Sequence, residues 1–293
     1  MGAAPFAAAA HPEDKKADAA RTERLDEVTV TGTHDIDPQV LDHVVVPRFV
    51  QSHAATNDKT GQIGRWVTAI CPATNGLQPH FNTFVSRRIE AVAASVGAPT
   101  KVGLQCTPNI GIIFTPEPQK QLDLVVKNAP AMLGFHYAAQ TKELTTFTHA
   151  IQAWYVTATR GGNGMLQVDS EFHRPPAGRA DSRLGASIRS EFAHVLIIVD
   201  SSKLSGFTLG SIADYLAVLT LNRSPSLEGC SELPSILDLM SPGCRPDARP
   251  QGLTATDSAY LQALYSANLE HFLAGERNEI HDAMLKALQH PTP

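Results

Sequence analysis

The run His194-Val-Leu-Ile-Ile-Val-Asp200 constrains the fold of this chain more than any other stretch. An uninterrupted series of aliphatic side chains leaves no face for water, so a strand here has to be covered on both sides. It is expected to be the central, buried strand of a sheet. Shortly after it comes Thr208 to Leu221, TLGSIADYLAVLTL, where Ile212, Tyr215, Leu216 and Leu219 recur at three- and four-residue intervals. That spacing predicts a buried amphipathic helix, stopped at Asn222-Arg223-Ser224-Pro225.

The remaining elements are read in the same way. Pro38 to His53 predicts a helix interrupted near Pro47, and Trp66 to Ile70 a short strand. Pro79 to Val96 predicts an amphipathic helix with Phe81, Phe84, Val85, Ile89, Val92 and Val96 on its buried side and Arg87, Arg88 and Glu90 away from it. Asn109 to Thr115 reads as a strand and Pro118 to Asn128 as another helix, a strand–helix–strand order that suits a parallel crossover. A strand is expected around Ala150 to Val156. Arg160-Gly-Gly-Asn-Gly164 after it lacks the Lys-Ser/Thr of a phosphate loop and opens no helix, so it reads as a plain hairpin or loop. Leu253 to Asp257 caps a helix running to Ala267, with Thr254 or Thr256 as N-cap. Glu276 to Leu288 is a last helix, expected on the outside. The expected fold class is α+β (α/β-like): a mixed sheet with packed helices and a C-terminal helical segment. The expected division is 1–10, 11–37, 38–275 and 276–293.

A chain of 293 residues can bury a substantial core, and a net charge of −5 provides no basic field for nucleic acid or anionic lipid. No apolar run reaches the roughly 18 residues of a membrane span. Met1 to Ala10, MGAAPFAAAA, reads as the remnant of a secretory signal, with Ala8 and Ala10 forming an A-x-A site. His11 to Arg24 reads as a flexible linker. The four cysteines, Cys71, Cys106, Cys230 and Cys244, show no C-x-x-C spacing, which argues against a zinc ribbon or a thioredoxin site. Cys230 and Cys244 bracket a Pro- and Ser-rich segment and suit a local disulfide, and Cys71 and Cys106 suit a second. Leader and cysteines together predict a periplasmic or secreted protein.

Four segments, in order, resemble the catalytic domain of the metzincin peptidases, especially its matrixin branch, over about Gly64 to Leu269. Asn109 to Phe114 looks like the A-D-I-x-I-x-F strand, Thr208 to Leu221 like the zinc helix, and Ser235-Ile-Leu237 like the S-I-M methionine turn, with Leu237 for the methionine. Leu253-Thr-x-x-Asp257-x-x-x-Leu-Gln-x-Leu-Tyr265 is close to the L-T-x-D-D-x-x-x-I-Q-x-L-Y closing helix. The whole also resembles a set of uncharacterised secreted proteobacterial proteins with this degenerate ending. The resemblance implies a zincin-like architecture in which the zinc helix would read H-E-x-x-H-x-x-G-x-x-H. In that frame this chain has Ala213, Asp214, Ala217, Thr220 and Arg223. Methyl groups and a guanidinium donate no lone pair to a metal, and Asp214 replaces the glutamate that would act as general base.

Other chemistry is sparse. No two of the twelve histidines lie closer than nine residues, so no helix offers an H-x-x-x-H pair. A site assembled from His136, His149, His173 and His194 would need convergence from distant elements. Asp169 and Glu171 form a nominal carboxylate pair, and Asp200, ending the apolar strand, suits a turn cap better than catalysis. No G-x-S-x-G elbow is present. Asp26 to Gly32 alternates like an edge strand, and its Glu27 to Gly32 portion is similar to the E-V-x-V-T-G segment of TonB-dependent receptors.

The functional expectation is a non-catalytic extracytoplasmic pseudo-metzincin, a binding or scaffold protein of the cell envelope. It would need no metal or cofactor, and its partner would be a protein or peptide, with an envelope component among the candidates. The alternative is a hydrolase with a non-standard site, with or without a metal.

Overall fold

The computed structural model describes residues 36–101, 106–170, 188–225, 229–268 and 272–290. The leader 1–10, the linker, the Asp26–Gly32 strand, Glu171 and His173 lie outside the described residues.

The fold is α+β, built on a mixed five-stranded sheet. In chain order the strands are β1 (Pro72–Asn75), β2 (Ile110–Thr115), β3 (Ile151–Arg160), β4 (Leu166–Val168) and β5 (Arg189–Asp200), and their spatial order is β1-β2-β5-β3-β4. β1, β2 and β5 run parallel, β3 lies antiparallel to β5, and β4 is antiparallel to β3. The aliphatic run falls on β5, in the middle of the sheet. Ile110, Ile112, Phe114, Val195, Ile197 and Val199 face the main core, whereas Leu196 and Ile198 face a smaller cluster with Trp154, Leu122 and Leu133. Both faces of β5 are therefore covered, which is why its sequence does not alternate.

The helical segment α1 (38–53) begins with Asp37 accepting from the backbone N–H groups of Gln39 and Val40. Its interruption near Pro47 takes the form of a wider π turn over Leu41–Val45, after which Val46–His53 continues as α-helix. Proline has no N–H for the regular ladder, and the expanded turn accommodates it. The strand expected at Trp66–Ile70 is corrected. This segment makes only single bridges, Arg65 to Glu191 and Ile70 to Thr100, and Trp66 instead sends its indole into the core.

β1 leads into α2 (Pro79–Ser95) through Gly76, whose φ of +98° and approach to Phe114 leave no room for a Cβ, which would lie 1.9 Å from the Phe114 carbonyl oxygen. From α2 the chain crosses to β2, the expected parallel crossover, and α3 (Pro118–Asn128) covers the smaller cluster. Arg160 to Gly164 is the expected plain turn, joining β3 to β4. After β5 comes α4 (Leu209–Leu221), N-capped by the Thr208 hydroxyl, and it packs against α2. A 3-10 turn at Ile236–Met240, α5 (Ala255–Ser266) and α6 (Leu273–Gln289) complete the fold.

Thr254 is the N-cap of α5, in a capping box with Asp257. α6 is less peripheral than its sequence suggests. It starts at Leu273, packs on α1 and α5, and sends Ile280 and Met284 into the main core, so a boundary at 275/276 would fall inside it. Both expected disulfides are present, Cys71–Cys106 and Cys230–Cys244.

Candidate functional site

The residues singled out on α4 lie in the core. Ala213 and Ala217 are both 0% exposed and belong to the main apolar cluster. On the face where a zinc helix would present imidazoles, two methyls allow α2 and the Ile236–Met240 turn to pack against α4. Leu237, standing for the turn methionine, is buried in that same core.

Asp214 is 4% exposed, and a buried carboxylate demands partners. It has three donors, supplied by two residues. The Arg88 guanidinium of α2 donates from Nε to Oδ1 at 2.5 Å and from Nη2 to Oδ2 at 3.1 Å. The backbone N–H of Leu253, just before α5, donates to Oδ2 at 2.9 Å. One carboxylate thus joins α2, α4 and the entry to α5. A two-pronged guanidinium–carboxylate contact is among the strongest polar pairs available to a protein.

Arg223, the third position of the expected ligand frame, is also committed. Arg223 donates from Nη1 to the Thr56 carbonyl at 3.0 Å and from Nη2 to Asp58 at 3.2 Å, tying the end of α4 to the segment after α1. The last carbonyls of α4 have no intrahelical partner and lie buried, so they need external donors. Tyr155, Trp66 and Tyr265 supply them, donating to the carbonyls of Leu219, Thr220 and Leu221 at 2.7, 2.7 and 2.9 Å. Asn222 continues the tie, donating to the His53 carbonyl at 2.7 Å and accepting from Tyr260 at 3.0 Å.

Below α4, Asp257 accepts from the Ser235 hydroxyl at 2.6 Å, the Ile236 N–H at 2.8 Å and the Thr254 N–H at 3.0 Å. Burial pushes its carboxyl up to about 6 against the opposing pull of these donors. Glu276 on α6 is 1% exposed and accepts from the Ile63 N–H, while its Oε1 has no hydrogen-bond partner among the described residues. Burial pushes it up to about 7.

The distant candidates do not come together. His136 contacts the Gly134 carbonyl, and His149 is an exposed neighbour of Thr148. His194 sits half-buried on β5, with its basicity lowered by desolvation. Asp200 caps the Ser201–Lys203 turn, accepting from the Ser202 N–H. Asp169 is held by Asn57, Thr157 and Thr159 in a buried hydrogen-bond network joining β3 to the segment after α1. Among the described residues no three His, Cys, Asp or Glu side chains converge where they could hold a metal ion.

An open, shallow surface lies on the outer side of α2. His80, Thr83, Phe84, Arg87, Arg88 and Ala91, all of this helix, border an open depression of about 590 Å³. Phe81 and Phe84, expected in the core, are instead 42% and 41% exposed, while Val85, Ile89, Val92 and Val96 are buried as expected. Phe84 is about 100° around the helix from Val85, which places it on the outer side rather than the core side. Arg88, expected to point away, turns back toward α4. The sequence signal for that pairing was Asp214 itself, a carboxylate inside an otherwise apolar helix.

No family model, no curated protein and no solved structure matches this chain.

Proposed function

We propose that the chain is a non-catalytic binding protein of the extracytoplasmic envelope, a pseudo-metzincin in which the zinc helix has become a core helix. The observation that carries this reading is the commitment of Asp214. At the position of the catalytic base it is already bound by Arg88 and by the Leu253 N–H. A general base needs a free lone pair within reach of the proton it takes, and needs solvent or substrate beside it. The second condition is not met by a carboxylate sealed between helices. Ala213, Ala217 and Arg223 offer no donor pair to a metal, and the packing around the two alanines leaves no room for substrate.

The envelope assignment is supported by the two disulfides, which persist in oxidising compartments. Among the described residues no helix is long and apolar enough to cross a membrane. The binding assignment is supported by the open depression bordered by α2, where Phe84 and Arg87 are exposed.

The test is incubation of the purified chain with a proteome-derived peptide mixture and added zinc, with and without chelator, read by mass spectrometry. The reading predicts no new termini that depend on the protein. Chelator-sensitive cleavage would overturn it.

A further inference from the structure

The last helix, α6, is tied to its neighbours by two groups that hold protons, independently of how α4 is read. His281 bridges α6 to α1. Its Nε2 lies 2.8 Å from the Asp42 carbonyl oxygen and 3.0 Å from Asp42 Oδ1, and its Nδ1 lies 2.8 Å from Asp282 Oδ1. The local reason is Pro47. In the π turn over Leu41–Val45 the Asp42 carbonyl would be met by the N–H of residue 47, which is proline and has none. His281 supplies a donor there. Both ring nitrogens therefore face oxygen acceptors, and an imidazole donates from both only when it is protonated. Burial lowers its basicity, and the acceptors on Asp282 and Asp42 more than offset this, so it is raised above the ordinary value.

Nearer the start of α6, Glu276 is buried with one oxygen on the Ile63 N–H at 3.1 Å and the other without a partner among the described residues. A carboxylate there is short of donors, and the neutral acid is far easier to bury. The charged groups around it are Arg65, from the segment after α1, and Arg277 and Glu279 of α6 itself. Arg65 donates to the carbonyls of Leu264 and Ala267, at the end of α5. Around His281 they are Asp282 and Asp42, whose Oδ2 has His43 at 3.9 Å.

We propose that α6 is a proton-held clasp. It stays seated on α1 and α5 while His281 is charged and Glu276 is neutral, and it lifts from that seat, with the sheet intact, as both groups lose their protons. Lifting uncovers Ile280 and Met284 together with the helix faces beneath them. The two groups act in one direction. Each holds its proton more tightly in the seated helix than in a released one. The seating they provide is complete below about pH 4.5 for Glu276 and about 6.5 for His281, and is lost as pH rises through the raised folded values.

Native-state hydrogen exchange of the full chain tests this, read by mass spectrometry on peptides of α6 and β5 under conditions where closing outpaces exchange. After correction for the intrinsic pH dependence of exchange, opening of α6 is expected to rise at least about tenfold between about pH 6 and pH 8. β5 should stay far better protected than α6 at both. Glu276→Gln and His281→Gln should each flatten the rise, and the double variant should leave α6 opening nearly independent of pH. Glu276→Gln removes a poorly paired buried charge, so that variant is expected to fold and keeps the test decisive by itself. Exchange of α6 and β5 in step at every pH, the absence of a rise, or a rise that Glu276→Gln leaves unchanged would overturn the proposal.

Discussion

Arg88 and Asp214 lie 126 residues apart in the chain and meet as a two-pronged ion pair, with Nε 2.5 Å from Oδ1 and Nη2 3.1 Å from Oδ2. The aspartate is buried and the arginine mostly so. Because Leu253 also donates to Asp214, this pair joins the crossover helix α2, the helix α4 and the start of α5. Its energetics follow from that position. Removing one partner strands the other, which costs more than the intact pair is worth.

Arg88→Ala and Asp214→Ala should each lower unfolding free energy by roughly 3 kcal/mol, the usual cost of uncovering a buried charge. The double variant should lose clearly less than the sum, since neither charge is left alone. Urea denaturation of the four proteins completes the cycle. Additive losses would show that the two side chains do not interact.

Restoring imidazoles should damage the fold. Ala213→His with Ala217→His places two large polar rings where both side chains are fully buried. Overpacking and unpaired ring nitrogens together should cost at least about 3 kcal/mol. Thermal melts with and without zinc check this, and zinc should not restore the lost stability.

The dependence on pH has a definite sign. The folded-state value for Glu276 is about 7, above its ordinary 4.5, so the folded chain holds that proton more tightly than the unfolded one. The stability this contributes is complete below about pH 4.5 and is lost as pH rises through 7. Asp257, raised to about 6 from 3.8, acts in the same direction over a lower window. Glu276→Gln should therefore stabilise the chain by on the order of 2 kcal/mol near pH 8, with the advantage fading toward pH 4.5. Chemical denaturation across that range measures it, and an advantage that grows as pH falls would contradict the assignment.

Each disulfide should contribute measurably. The Cys230–Cys244 bridge closes 14 residues and Cys71–Cys106 closes 35. Chain entropy gives about 3 and about 4 kcal/mol respectively. Paired Cys→Ser variants, compared by denaturant midpoint, should rank in that order.

Much of the fold was legible in the sequence because burial on both faces and helical periodicity leave direct marks. The aliphatic run at 194–200 announces a central strand, and Thr254 with Asp257 announces a capped helix. The site was less legible. An alanine at 213 or 217 suits an emptied cleft and a tight helix contact equally well, and only the neighbouring helix decides between them. Phe81 and Phe84 look like core residues by composition, yet the buried stripe of α2 is already complete in Val85, Ile89, Val92 and Val96. Trp66 reads as a strand residue because tryptophan favours strands, whereas its indole N–H is needed by the Thr220 carbonyl at the end of α4.

Whether α4 serves packing or chemistry is tested most directly by native mass spectrometry of the full chain after incubation with zinc. The prediction is a folded chain with both disulfides and no retained zinc, and the less stable Asp214→Asn variant likewise retains none. Retention of one zinc per chain, with peptide cleavage that chelator abolishes and Asp214→Asn removes, would contradict it.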